Sequence, residues 1–233
     1  MNTTVIAIVV ILVLVGIGVG IYFAVRGDSN NVTISYGANF SVTYGSQRDL
    51  DLWGDHMKTA TTRWSNVLDE TTVIEIYVYT YSGDSGVLAY AGPTSTTNLK
   101  GGGQIRFNEN ANRTTSNFDQ VAAHEIGHVL GLGLNVGWTN YIVTVGGNKY
   151  LDKTHFVDAY NFYVGTPEYF SSGDTNGIPL TSGEGHFSET VFDKELMTSH
   201  AEGYSESHPL TKLTLFVLQR MGWSVNLTNA EDP

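Results

Sequence analysis

The chain has 233 residues, with 23 acidic against 12 basic side chains and a net charge of −11. So acidic a balance offers no basic stripe to displace counterions, which argues against nucleic acid and anionic lipid as partners. The chain has no cysteine, which excludes disulfides, thiol catalysis and thiolate-held metal.

Residues 1–4 form a short N-terminal tail. Val5 to Val25 is an unbroken uncharged run, mostly Val, Ile and Leu. As a helix rising about 1.5 Å per residue it would be roughly 31 Å long, matching a hydrocarbon core. It lacks the basic start of a signal peptide and is too long for a signal's apolar core, so a retained transmembrane anchor is expected over 5–25. That expectation makes the chain a single-pass membrane protein, its membrane contact at 5–25 and its domain extracytoplasmic or at the cell surface. Asn-x-Ser/Thr sequons at Asn2, Asn31, Asn39, Asn112 and Asn226 agree with such a surface. Arg26, directly after the run, pulls the other way. The pair Gly16 and Gly20 is a weak hint of helix pairing.

Residues 26–48 are assigned to a polar stalk and the start of the domain. Residues 49–229 are assigned to the domain itself, long enough for one sizeable core. Trp53, Met57, Ala60, Trp64 and Leu68 recur at spacings of three and four, predicting a helix from Leu52 to Leu68. Thr72 to Tyr81 is rich in β-branched and aromatic residues and predicts a strand. Shorter strands are expected at Val87 to Ala91 and Gln104 to Asn108. A helix follows from Phe118 to Leu130, capped by Asn117 and stopped by Gly131 and Gly133. Residues 134–185 are loop-rich, with one helix near Phe156 to Val164. A last helix runs from Leu210 to Met221, opened by Pro209 and closed by Gly222. This order of elements predicts a layered α+β or α/β domain.

His124-Glu125-Ile126-Gly127-His128 carries the chemistry. On a helix, positions i and i+4 share one face with Cβ atoms about 5–6 Å apart, so both imidazoles can reach one ion. Zinc suits imidazole nitrogen at about 2.0–2.1 Å, and a catalytic site takes three protein ligands and a water. Glu125, beside a ligand but not itself one, can act as general base on that water. The bland alternative is a helix that happens to display these residues. The capped, amphipathic context favours the metal reading. The third ligand is left open by spacing among His56, His155, His186, His200 and His208.

His124-Glu125-x-x-His128-x-x-Gly131 resembles the opening of the metzincin zinc signature. Most metzincins place a third histidine three residues on, where this chain has Leu134. The chain resembles instead the leishmanolysins, which insert a segment before that histidine, and among them the small bacterial-type members. Gly185-His186-Phe187 and Glu195-Leu196-Met197-Thr198 are similar to that family's third ligand and Met-turn. The similarity extends from Asp49 to Asn226. It implies an α+β metzincin-type zinc peptidase domain behind the anchor, with one catalytic Zn2+ held by His124, His128 and His186. It further implies Glu125 as general base and Met197 as a floor beneath the metal. The strand Gln104, Ile105, Arg106, Phe107, Asn108 would be the edge on which a protein or peptide substrate aligns, with an ordinary core strand as the competing reading. Leishmanolysins are usually silenced by a cysteine-bearing pro-segment, and this chain has no cysteine.

The expected function is therefore a zinc-dependent endopeptidase. A membrane-anchored adhesion or binding module on a protease-like scaffold is the alternative. The intact Glu125 speaks against it, because a dead scaffold has no need of the base.

Overall fold

The structure, a computed structural model, describes residues 8–11, 22–25, 31–84, 86–113, 116–170, 173–200 and 205–233. The transmembrane anchor is corrected by it. Within 5–25, Ile8–Ile11 (β1) and Tyr22–Val25 (β2) are antiparallel strands, with Ile8 opposite Val25 and Ile11 opposite Tyr22. No helix among the described residues is long and apolar enough to cross a membrane. The single-pass placement that rested on the anchor falls with it. The physical reason lies in residue type: Ile8, Val9, Val10 and Ile11 are all β-branched, stiff at χ1 and suited to a pleated strand. Length and hydropathy alone do not register that preference. The tail at 1–4, the rest of the expected anchor and residues 26–30 lie outside the described residues.

From Val32 onward the described residues form a mixed sheet with helices packed on it, an α+β arrangement. Five strands take the order β3-β4-β5-β7-β6. They are β3 (Val32–Tyr36), β4 (Phe40–Tyr44), β5 (Ile74–Tyr81), β6 (Ala89–Pro93) and β7 (Gly103–Asn108). β4, β5 and β7 run parallel, while β3 and β6 are antiparallel to their neighbours. The sheet thus begins inside the segment assigned to stalk and domain start. Alternate residues Phe40, Val42 and Tyr44, then Ile74, Ile76 and Val78, point into the core, as a period of two requires.

Helix α1 (Gln47–Val67) starts earlier than its apolar spacing predicts, because Ser46 caps it by accepting from the Asp49 N–H. Asp49 in turn accepts the backbone N–H of Thr80 on β5 at 2.9 Å, fixing helix against sheet. Trp53, Met57, Ala60 and Trp64 are fully buried along one stripe. Each large apolar side chain among them contributes about 1.5–3 kcal/mol on burial. α1 lies against β3 to β5, while α2 (Phe118–Val129) lies against β6 and β7 and touches α1. The Trp64 indole donates to the Ala123 carbonyl at 2.7 Å, joining the two helices one residue before His124.

Beyond α2 come a short helix α3 (Val136–Thr139) and a small sheet of β8 (Ile142–Val145), β9 (Asn148–Leu151) and β10 (Ile178–Pro179). Helices α4 (Val157–Gly165), α5 (Glu189–Phe192) and α6 (Lys212–Met221) follow, with a 3-10 turn at Leu227–Asn229. Trp223, just past α6, donates its indole N–H to the Leu130 carbonyl at the end of α2.

Candidate metal centre

Helix α2 is held at both ends by its own sequence. The Asn117 side chain accepts from the N–H groups of Asp119 and Gln120. At the other end, Leu132 donates to the Gly127 carbonyl and Gly131 to the His128 carbonyl, the paired bonds of a Schellman stop. Gly131 adopts φ +100°, which only glycine takes without strain. Gly133, at φ +76°, is needed for space as well: a Cβ there would run into the Gly185 carbonyl oxygen. The stop of α2 and the strand of chain leading to His186 therefore fit together because neither carries a side chain at the contact.

That fit brings three imidazoles to one point. The Nε2 atoms of His124 and His128 are 3.0 Å apart, those of His128 and His186 3.0 Å, and those of His124 and His186 3.2 Å. Three nitrogens on one face of a tetrahedral zinc ion stand roughly 3.3 Å apart, given bonds of about 2.0–2.1 Å. These contacts are not a hydrogen-bonded ring. His124 Nδ1 donates to the Leu196 carbonyl at 2.7 Å and His128 Nδ1 to the Leu132 carbonyl at 2.9 Å. In the neutral ring the other nitrogen then carries a lone pair, so two of the three Nε2 atoms face each other as acceptors. Burial, reinforced by the neighbouring rings, holds His124 well below the ordinary imidazole range. Burial likewise lowers His128, and burial with His128 alongside brings His186 down to about 3. Neutral rings with fixed tautomers and converging lone pairs are the form that a divalent cation binds.

Glu125 lies on the same helix turn, 6% exposed, and its Oε2 has no hydrogen-bond partner. Burial pushes its carboxyl up to about 8. A buried polar atom left unsatisfied is costly unless something outside the fold completes it. The triad and Glu125 open on a cleft of about 610 Å³, whose walls include Tyr90, Gln120, Leu134, Thr198, His200 and His208.

No protein-family model and no curated protein matches this chain.

The structure distributes the sequence-derived candidates plainly. It brings His124, His128 and His186 together as a cluster able to hold a metal. Met197 is fully buried against α2, its sulfur where a side chain at Gly127 would be. His56 pairs with Asp119 at 2.6 Å, and His155 stacks on Tyr141 with ring centres 3.3 Å apart. His200 lies at the cleft rim against Glu189, and His208 is braced by Gln120. Tyr204, in sequence a candidate for stabilising an oxyanion from the loop after residue 198, lies outside the described residues.

The substrate strand needs correction. Gln104, Ile105, Arg106, Phe107 and Asn108 form β7, which is bonded to β5 on one side and β6 on the other, so it presents no edge. The edge beside the cleft is β6. Strand order is set by pairings distant in sequence, which composition does not reveal. Asn108 acts structurally: its amide donates to the carbonyls of Asp84 at 2.6 Å and Val87 at 2.7 Å, shaping the loop that enters β6.

The backbone partners of His124 and His128 have no counterpart in the sequence motifs. The carbonyls of Leu196 and Leu132, which fix two tautomers, are invisible to any motif of side chains. Gly133 marks a helix stop in the sequence, and its second role, giving room to the Gly185 carbonyl, emerges only in the fold.

Proposed function

We propose that this chain is a zinc-dependent endopeptidase. The observation that carries the reading is the meeting of three Nε2 atoms beside the unpartnered carboxyl of Glu125. The donor set supports zinc, since three imidazoles with an open side are a catalytic rather than a structural set. When bound, such an ion supplies Lewis acidity to a water and to the scissile carbonyl.

The chain's own residues supply the rest. Glu125 beside a cation is held as the carboxylate, against the effect of burial. It takes a proton from the attacking water and returns it to the leaving amine. His124 and His128 are kept in place by Leu196 and Leu132, so the ligand geometry does not need to form during turnover.

β6 supports an extended peptide as the substrate. Leu88 pairs with Asn108 and Thr94 with Gly102 through backbone bonds, so by alternation Ala89 and Ala91 turn their N–H and C=O groups away from β7. Both residues line the cleft. A substrate strand can add there through main-chain bonds without a demand on sequence. The resemblance of residues 124–131, 185–187 and 195–198 to leishmanolysins points the same way.

The test is hydrolysis of an unstructured protein and a quenched peptide library, with chelator and Glu125→Ala as controls. Cleavage lost in Glu125→Ala while metal is retained supports the proposal. Equimolar metal with no cleavage of any peptide contradicts it.

A further inference from the structure

Glu195 is a further buried carboxyl, with no solvent exposure, and the chemistry above does not use it. Burying such a group is unfavourable unless it is fully bonded, so its partners show what it holds. Its Oε2 accepts the Met197 N–H at 2.6 Å, and its Oε1 accepts the Thr214 hydroxyl at 2.6 Å. Thr214 lies in the first turn of α6. The carboxyl therefore clips the turn at 195–198 to the start of that helix. Thr198 closes the turn by donating to the Glu195 carbonyl at 3.1 Å, and Leu196 donates to the Pro209 carbonyl at 3.0 Å.

What the clipped turn presents is directed at the triad from two sides. The Leu196 carbonyl receives His124 Nδ1 at 2.7 Å. The Met197 carbonyl receives the N–H of Phe187, the residue after His186, at 3.0 Å. One ligand sits on a helix and the other on a loop far away in sequence, and this turn touches both.

We propose that Glu195 is a positioning residue for the metal centre, fixing the 195–198 turn so that it braces His124 and His186 together. The inference rests on the reading of His124, His128 and His186 as ligands. Glutamine at 195 keeps the shape but replaces one oxygen with an amide donor. It can accept from Met197 or from Thr214, not from both.

The test titrates Zn2+ and Co2+ into metal-stripped full-length chain and records the visible spectrum of bound Co2+. Glu195→Gln is expected to bind both ions up to about tenfold more weakly, the low end of what losing a direct outer partner of a ligating histidine costs. The cobalt spectrum is expected to shift as the ligand set loosens. Thr214→Val, which removes the closer of the two hydroxyl donors to Oε1 (Thr211 is the other, at 3.5 Å), is expected to change both in the same direction by less. Leu218→Ala, a buried change in the same helix, serves as the stability control: a lower melting temperature with unchanged affinity. If Glu195→Gln behaves as Leu218→Ala does, the proposal is overturned. Should Glu195→Gln fail to fold, Thr214→Val with unaltered affinity and spectrum overturns it equally. Wild-type chain that binds neither ion would remove the ligand reading itself, an outcome separate from an effect confined to the variants.

Discussion

The sulfur of Met197 fills the space that a side chain at Gly127 would require. Gly127 sits between Glu125 and His128 on α2, so Met197 and the helix above it interlock at an atom that is absent. Gly127→Ala would normally raise helix propensity by up to about 1 kcal/mol. Here the added methyl meets Met197 inside a packed core, where overpacking costs about 1–3 kcal/mol. The expected outcome is net destabilisation in a urea melt and weaker metal binding. A more stable protein with unaltered metal affinity would contradict the packing.

Gly133 is expected to be the more sensitive glycine for metal. An alanine there meets the Gly185 carbonyl and forces apart the stop of α2 and the approach to His186. Gly146 is the comparison, because it also has positive φ, +59°, but open space around it. Gly146→Ala should cost only the left-handed strain of about 1–2 kcal/mol and leave zinc affinity alone. Gly133→Ala should lose affinity as well as stability, measured by competition with a chromogenic chelator.

The triad gives a pH dependence of defined sign. Burial lowers His124, His128 and His186 in the folded chain, while the unfolded rings titrate near about 6.5. Between those values the unfolded chain binds more protons, so stability falls as pH drops below about 6.5. For His186 the loss continues until pH approaches about 3. The raised carboxyls of Glu125 and Glu195 act in the opposite sense over the same range, so the triad is read by difference: the melting temperature of metal-stripped wild type relative to His186→Ala should fall as pH drops from about 6.5 to 5.

Much of the site was legible in the sequence because it is local. The pair at 124 and 128, the Asn117 cap and the Gly131 stop all lie within one helix and its ends, where spacing and capping rules apply. The early start of α1 was not legible from apolar spacing, because a Ser46–Asp49 cap and not a hydrophobic stripe sets it. Strands β3 and β4 were hidden by Thr33, Ser35, Ser41 and Thr43, polar residues facing away from the core. The run at 5–25 misled because hydropathy measures transfer from water and not the conformation of β-branched residues. The edge position of β6 depends on strand order, and the bracing of His124 by Leu196 joins residues 72 positions apart. Neither has a local sequence signature.

β6 offers a direct kinetic prediction. Proline at position 91 deletes an N–H that faces away from β7, a replacement that an edge strand tolerates. Stability should change little. The specificity constant kcat/KM should fall by a factor of about 2 to 12, the equivalent of one net hydrogen bond to substrate. The fall should appear mainly in KM. Unchanged kinetics would place the substrate elsewhere.

Zinc content of the purified full-length chain, measured by mass spectrometry for wild type, Glu125→Ala and His186→Ala, tests the account most directly. Equimolar zinc in the first two and a large loss in the third is the predicted result. A His186→Ala chain that retains equimolar zinc, or a wild type that takes up none, would contradict it.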